Sequence, residues 1–175
     1  MIIRDARRSD ALDIAKIQVN TWKQAYKDIF PEEFLESRSY EEKVVANQKW
    51  LEDLQDTTRV FVAELDTKQI IGFAVGGLER DNNPDYKGEL WGIYISKNYQ
   101  RKGIGTKLFE RVVKHLLDMN INSMLVWVLK DNPYRMFYEK LNGQMILEKK
   151  HNFHGFIRSL VAYGWLEINH LLDKL

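Results

Sequence analysis

Residues 89–129 constrain the fold of this chain more than any other stretch. Glu89 to Ile95 is β-rich, and Ser123 to Leu129 is apolar enough to read as a strand buried on both faces. Between them Ile104, Leu108, Phe109, Val112, Val113, Leu116 and Leu117 lie on one stripe of a helix. A strand, a helix and a strand in this order close as a crossover, and a crossover brings two strands side by side in parallel. The chain must therefore build a sheet with at least one parallel pair and one helix packed over it.

The flanking segments fill out that sheet. Met1 to Arg4 is a short strand. Ser9 or Asp10 caps a helix in which Ala11, Ile14, Ala15, Val19, Trp22, Ala25 and Tyr26 recur at helical spacing. Pro31 opens a short turn or helix to about Ser37. Glu41 to Leu54 reads as an amphipathic helix with Val44, Val45 and Leu51 inside. Arg59 to Leu65 and Ile70 to Leu78 form a hairpin around Asp66 to Gln69. After residue 129, Pro133 suits the first turn of a short helix ending near Asn142 and Gly143, where glycine can take the left-handed cap. Gln144 to Lys150 and Phe156 to Ala162 are the last strands, with a turn at His151 to Gly155, and Leu166 to Leu175 reads as a terminal helix. The order is β-α-α-β-β-β-α-β-α-β-β, an α/β (α+β) fold. Three prolines, no repeat and no low-complexity tract leave no linker, so residues 1–175 read as one domain.

Composition excludes several classes. Lys+Arg 26 against Asp+Glu 25 gives a net charge of +1, which argues against a dedicated nucleic-acid binder. Aromatic residues at 12%, with five Trp, argue against disorder. The count of zero Cys removes disulfides, thiolate zinc sites and a cysteine acyl-enzyme. No apolar run reaches the ~18 residues of a membrane span, and Met1 to Asp5 lacks the apolar stretch of a signal peptide, so the expectation is a soluble cytoplasmic protein without membrane partners.

The chemistry concentrates at Gln100-Arg101-Lys102-Gly103-Ile104-Gly105-Thr106. Glycines let backbone approach a ligand and expose consecutive N–H groups; the following helix adds its positive end, and Arg101 and Lys102 add full charges. That combination holds a phosphate or pyrophosphate, against the simpler reading of a tight turn. It is not a nucleoside-triphosphate P-loop, which needs Gly-x-x-x-x-Gly-Lys-Ser/Thr. Nor is it a dinucleotide fingerprint, because Leu108 stands where a third small residue is needed. What remains is Gln/Arg-x-x-Gly-x-Gly/Ala, met in full by Gln100 to Gly105.

Glu89-Leu90-Trp91-Gly92-Ile93-Tyr94-Ile95, followed after four residues by Gln-Arg-Lys-Gly-Ile-Gly, resembles the acetyl-CoA motif of the GCN5-related N-acetyltransferases. Asp131-Asn132-Pro133 with Phe137-Tyr138-Glu139-Lys140-Leu141 and Gly143 is a second match, and the element order is also the family's. Thr21-Trp22-x-x-Ala25-Tyr26 and Ala162-Tyr163-Gly164-Trp165 resemble a subgroup of small bacterial members. The resemblance implies a mixed, mostly antiparallel sheet with a central splayed parallel pair. The pantetheine arm of acetyl-CoA would lie along Ile93, Tyr94 and Ile95, and the pyrophosphate would lie at Gln100, Arg101, Lys102, Gly103, Ile104, Gly105 and Thr106, with Asn132 a further contact. Lys97 stands where many members have proline, and Asn132 is six residues before Tyr138 where many members have seven.

An amine attacks a thioester only when neutral, so a group must take its proton, and the leaving thiolate gains from receiving one. Tyr138 is the candidate acid; by spacing alone it also reads as a packing residue four after Tyr134. Glu89 is the candidate base, sharing a face with Trp91, Ile93 and Ile95 by simple alternation, or else a solvated strand-end carboxylate. Glu79 is the reserve. Trp22, Tyr26 and Phe30 fall on one side of the first helix and its exit and would wall an acceptor pocket, or belong to the core. His151-x-x-His154 lacks a third ligand, so no metal is expected. The activity implied is transfer of an acetyl group to a primary amine, on a small molecule or a peptide, by direct attack in a ternary complex. A non-catalytic acyl-CoA-binding sensor is the alternative, and a homodimer is compatible with either.

Overall fold

The computed structural model of the chain describes residues 1–37 and 39–173. The elements run β1 (Ile2–Asp5), α1 (Ala11–Tyr26), α2 (Glu32–Glu36), α3 (Tyr40–Glu52), β2 (Arg59–Glu64), β3 (Ile70–Leu78), β4 (Gly88–Ile95), α4 (Ile104–Asp118), β5 (Met124–Leu129), α5 (Met136–Lys140), β6 (Gln144–Phe153) and β7 (Phe156–Trp165). The strands form one seven-stranded sheet in the order β1-β2-β3-β4-β5-β7-β6. Every neighbouring pair is antiparallel except β4–β5, which is parallel as the crossover demands.

The two faces of the sheet carry different helices. α4 lays Ile104, Leu108, Phe109, Val112, Val113 and Leu116 on one face, against Ile71, Ala74, Leu90, Val126 and Tyr163. α1 covers part of the opposite face, where Ile14 and Ile17 meet Val60, Val62, Phe73 and Val75. Sandwiching explains why β3 is buried from Ile70 to Gly77, on both sides of its pleat. A third cluster joins Phe30, Leu35 and Leu129 to Trp22, Tyr26, Phe153 and Phe156, tying the end of α1 and α2 to the tip of the β6–β7 hairpin.

Several local expectations are corrected. Asp10 stands at the N-cap of α1 as expected, but its side chain makes no capping bond to that helix, and Arg8–Asp10 is a turn of 3-10 helix. The Asp10 carboxylate is buried there, accepting from Arg7 N at 2.7 Å and pairing with Arg4. In α3 the apolar stripe faces inward only in part: Leu51 packs on the α1-side core, but Val45 does not. Val45 is 68% exposed, Val44 and Leu51 are half-buried, and the one buried residue of the helix is Asn47. The left-handed residue after α5 is Asn142 (φ 61°), not Gly143. Gly143 is needed for closeness instead: a Cβ there would sit 2.6 Å from Trp165 Cζ2 and 2.9 Å from the Tyr138 carbonyl oxygen. The last hairpin turns on His154 and Gly155 alone, with His151 inside β6. The expected terminal helix is a 3-10 turn at Ile168–Leu171, and Lys174 and Leu175 lie outside the described residues. Among the described residues no helix is long and apolar enough to cross a membrane.

Candidate active site

The parallel pair is joined only at its start. Gly88 faces Met124 and Glu89 faces Leu125, after which β4 and β5 part. A bulge in β4 accompanies the divergence. On β3, Val75 faces Gly92 while Gly76 faces Leu90, so Trp91 has no partner there. A bulge of this kind bends its strand and re-aims the side chains beyond it. Leu90, Ile93 and Ile95 consequently belong to the α4 face, whereas Trp91 and Tyr94 belong to the α1 face. Simple alternation, which grouped Glu89, Trp91, Ile93 and Ile95, fails at the bulge. Glu89 stays with Trp91: Arg80 pairs with its carboxylate and also lies 4.6 Å over the Trp91 ring.

At the mouth of the gap, Lys97–Tyr99 forms a 3-10 turn and Gln100 folds back to donate Nε2 to Ile95 O at 3.0 Å. Arg101 (φ 58°) and Gly103 (φ 76°) take left-handed backbone to turn the chain into α4, a conformation that glycine alone adopts without strain. The helix's own bonding begins with Lys107 N to Gly103 O at 3.2 Å. The N–H groups of Ile104, Gly105 and Thr106 thus have no intrahelical acceptor and sit at the positive end of a 15-residue helix. Arg101, Lys102 and Gly103 are exposed, while the Ile104 side chain is core and leaves only its backbone to a ligand. Gly105 faces the gap: its missing Cβ would be 3.3 Å from Phe137 Cε2 and 4.0 Å from Ile93 Cδ1. These features fit a long, thin ligand with a polyanionic end. The open β4 edge admits the thin part, and the α4 N-terminus with its basic pair meets the anion.

Tyr138, on α5, is buried, with its ring 5.4 Å from Phe137 and 5.9 Å from Tyr163. Its hydroxyl makes no hydrogen bond among the described residues. Burial, with Tyr94 nearby adding to the effect, pushes the phenol well above its ordinary value. Asn132 is engaged elsewhere: its Oδ1 accepts from Tyr134 N and its Nδ2 donates to Tyr26 Oη at 2.9 Å. Glu89 is 2% exposed, with Arg80 Nε at 3.0 Å and Nη2 at 2.5 Å from its two oxygens. Glu79, the reserve, accepts from the backbone of Asp81 and Asn83 and shapes the β3–β4 loop. Trp22, Tyr26 and Phe30 do come together, with Trp22 and Tyr26 rings 4.6 Å apart. They gather against the β6–β7 hairpin, and Phe30 is 3% exposed among Phe34, Phe153 and Phe156.

An open cleft of about 230 Å³ lies nearer the start of α1, between α1, α3 and the β3–β4 face. Ile14, Gln18, Lys43, Asn47, Trp50 and Trp91 contribute to its lining. Asn47, Lys43 and Trp50 were not singled out from sequence, because α3 reads as a solvated helix with alternating charges. Nothing local distinguishes Asn47 from a surface amide; only the packing of α3 against α1 buries it. His151 and His154 gather no third ligand, and no cluster of three or more metal-ligating side chains occurs among the described residues.

Residues 19–143 match the acetyltransferase (GNAT) family. An uncharacterized N-acetyltransferase, YuaI, of Bacillus subtilis is 32% identical over 173 residues, 99% of this chain and 97% of that protein. A probable spermine N(1)-acetyltransferase of Bacillus subtilis subsp. natto is 28% identical over 85 residues, covering 43% of this chain and 56% of its own length. Among solved structures, the PaiA N-acetyltransferase of Thermoplasma acidophilum in complex with coenzyme A superposes with a TM-score of 0.67 at 20% identity, covering 94% of this chain and 98% of that one. The fold with its splayed central pair, the glycine-rich helix start at the mouth of the gap and these matches agree: the chain belongs to the acetyltransferase (GNAT) family and is an enzyme of the N-acetyltransferase class.

Proposed function

We propose that this protein, acting as one domain over residues 1–175, transfers the acetyl group of acetyl-CoA to a primary amine by direct attack in a ternary complex. The observation that carries the reading is the divergence of β4 from β5 after Glu89, with the unbonded N–H groups of Ile104, Gly105 and Thr106 at its mouth. The complex of the Thermoplasma neighbour with coenzyme A supports the same choice of ligand. The name of the partial B. subtilis subsp. natto relative supports an amine acceptor, including a polyamine.

Acetyl-CoA supplies the activated thioester. In this reading Arg101, Lys102 and the backbone from Gly103 to Thr106 bind its pyrophosphate, and Ile93, Gly105 and Phe137 line the passage for the pantetheine arm. The amine nitrogen forms its bond to the acetyl carbon as the carbon–sulfur bond breaks. One proton leaves the amine and one reaches the sulfur. Tyr138 gives the second proton: a phenol is protonated at neutral pH, and this ring lies beside Phe137 on the passage. Glu89 takes the first. It lies on the same face of β4 as the cleft, and the half-exposed Arg80, which donates to it from its backbone N, Nε and Nη2, must release one of these contacts for a lone pair to become available. With zero Cys in the chain, no cysteine acyl-enzyme competes with direct attack.

The test is release of free CoA by purified protein and acetyl-CoA across a panel of amines, with the acetylated product identified by mass spectrometry. Turnover with at least one primary amine is expected. Tight acetyl-CoA binding with no turnover on any amine would point to a sensor instead.

A further inference from the structure

A second cleft, of about 320 Å³, opens on the α4 face of the sheet, between the later part of α4, the end of β1 and the start of β2. β3 separates β2 from β4 in the sheet, and Arg111 stands roughly 10 Å along α4 from Ile104, so the cleft is apart from the β4–β5 gap. Phe61, 3% exposed, forms its floor. Arg111 lies 5.1 Å over the Phe61 ring, and His115 meets the same ring at 6.2 Å. Burial holds the His115 imidazole below its ordinary value, so it brings no full charge at neutral pH. Arg59 is pinned beside them, with Nη1 donating to Thr58 O at 3.0 Å. Arg111 is the group that the fold leaves unused. It is half-buried, its Nε is buried without a partner, and its terminal nitrogens, which are not buried, make no hydrogen bond or ion pair among the described residues. Asp5, Asp56 and Asp118 border the same cleft, are all exposed, and form no side-chain ion pair among the described residues. Lys114 is held by Glu110 at 2.5 Å. The cleft is therefore layered by sign, with half-buried guanidinium groups below and exposed carboxylates at the rim, and no ion pair bridges the two.

We propose that this cleft binds a small zwitterionic aminocarboxylate, with its carboxylate on the terminal nitrogens of Arg111 and its ammonium among Asp5, Asp56 and Asp118. The site lies outside the acetyl-transfer machinery and does not depend on that reading. A guanidinium presents parallel donors that match the two oxygens of a carboxylate, and the Phe61 ring beneath Arg111 restricts where they point. A plain anion must pass three carboxylates to reach Arg111. A plain cation that goes below the rim meets Arg59 and Arg111. Each suffers a like-charge repulsion that a ligand of both signs avoids. Phe61 and Met119 supply apolar surface for the methylenes between the two charges.

The experiment titrates the protein, without acetyl-CoA, with 4-aminobutyrate, 6-aminohexanoate, butyrate, butylamine and inorganic phosphate, followed by calorimetry and by backbone amide chemical shifts. At least one of the two aminocarboxylates should bind about tenfold more tightly than each of the other probes, the worth of one added charge-assisted bond. Its shifts should centre on Phe61 and on Arg111 to Met119, away from Ile104 to Thr106. Arg111→Met keeps an apolar stem over Phe61 and removes the donors. It should lose about tenfold in affinity for that probe, with melting temperature and acetyl-CoA affinity retained. The triple variant Asp5→Asn, Asp56→Asn, Asp118→Asn changes only exposed carboxylates. It should keep butyrate binding and erase the preference for the aminocarboxylate. If Arg111→Met melts early, the wild-type ranking and the triple variant still decide. Butyrate, phosphate or butylamine as the tightest probe would overturn the proposal, as would binding untouched by Arg111→Met or saturation by neither aminocarboxylate. Failure to acetylate any amine would refute the transferase reading and leave this site standing.

Discussion

Replacing Tyr138 by Phe separates chemistry from packing, because the hydroxyl is the one part of this side chain that does no structural work. The ring packs against Phe137 and Tyr163, and phenylalanine keeps both contacts. The hydroxyl makes no hydrogen bond among the described residues, so its removal breaks none. The hydroxyl oxygen is not one of the buried unpaired polar atoms, so its loss should change stability by no more than about 1 kcal/mol either way. At this chain length that corresponds to roughly 2–4 °C in melting temperature. Catalysis should change by more. A general acid typically contributes about 10²-fold or more, equivalent to about 2.7 kcal/mol of barrier. Acetyl-CoA affinity should be unaltered, since the proton matters only as the carbon–sulfur bond breaks. The pH profile adds a sign. Burial holds the folded-state phenol above its ordinary value near 10, so the wild-type kcat should show no alkaline limb from this group below about pH 10. Linkage gives the matching stability signature. With the folded value raised by desolvation above the unfolded one, the neutral phenol carries no penalty below about pH 10, and stability falls as pH rises beyond it. Tyr138→Phe should lack this alkaline loss. A kcat within twofold of wild type would remove Tyr138 from the proton path. A melting temperature lower by many degrees would show that its hydroxyl is structural.

Gly105→Val should lower acetyl-CoA affinity at least tenfold by calorimetry, since its methyl groups would enter the passage that Phe137 and Ile93 border within 4.0 Å; unchanged affinity would move the cofactor elsewhere. Gly143→Ala should cost about 1–3 kcal/mol in denaturant unfolding, the usual range for overpacking, because its Cβ would meet Trp165 and the Tyr138 backbone within 2.9 Å. A neutral effect would mean that α5 can slide on β7. Arg4→Met should raise the pH of acid unfolding followed by circular dichroism. Burial works against ionisation of Asp10, but Arg4 and the Arg7 N–H outweigh it, and Arg4 first and Lys68 after it hold Glu64 below the ordinary range. Both folded values are depressed, so this stability is present above about pH 4 and lost as pH falls through them. An unchanged acid midpoint would show that the ion network contributes nothing.

Local sequence determined the elements whose signal is periodic and long. The stripe from Ile104 to Leu116 needs only a 3.6-residue repeat to declare both helix and buried face, and β3 from Ile70 to Leu78 appears at its expected bounds. The anion-binding turn was also legible, because left-handed backbone at Gly103 and a basic pair before a helix are properties of adjacent residues. What the tertiary structure decided is every relation carried between distant segments. The bulge at Trp91 arises from how β4 meets β3, and it alone sends Ile93 and Ile95 to the opposite face from Trp91. Arg80 and Glu89 are nine residues apart, joined by a loop whose course no periodicity predicts. Asn132 meets Tyr26 across 106 residues, which spends its amide locally. Asn47 illustrates the limit most plainly. Within its own helix it is a polar residue among charges, yet α1 and the sheet bury it at the edge of a cleft. The cost of a buried amide is set by the surroundings brought to it, and those are written in no neighbouring residue.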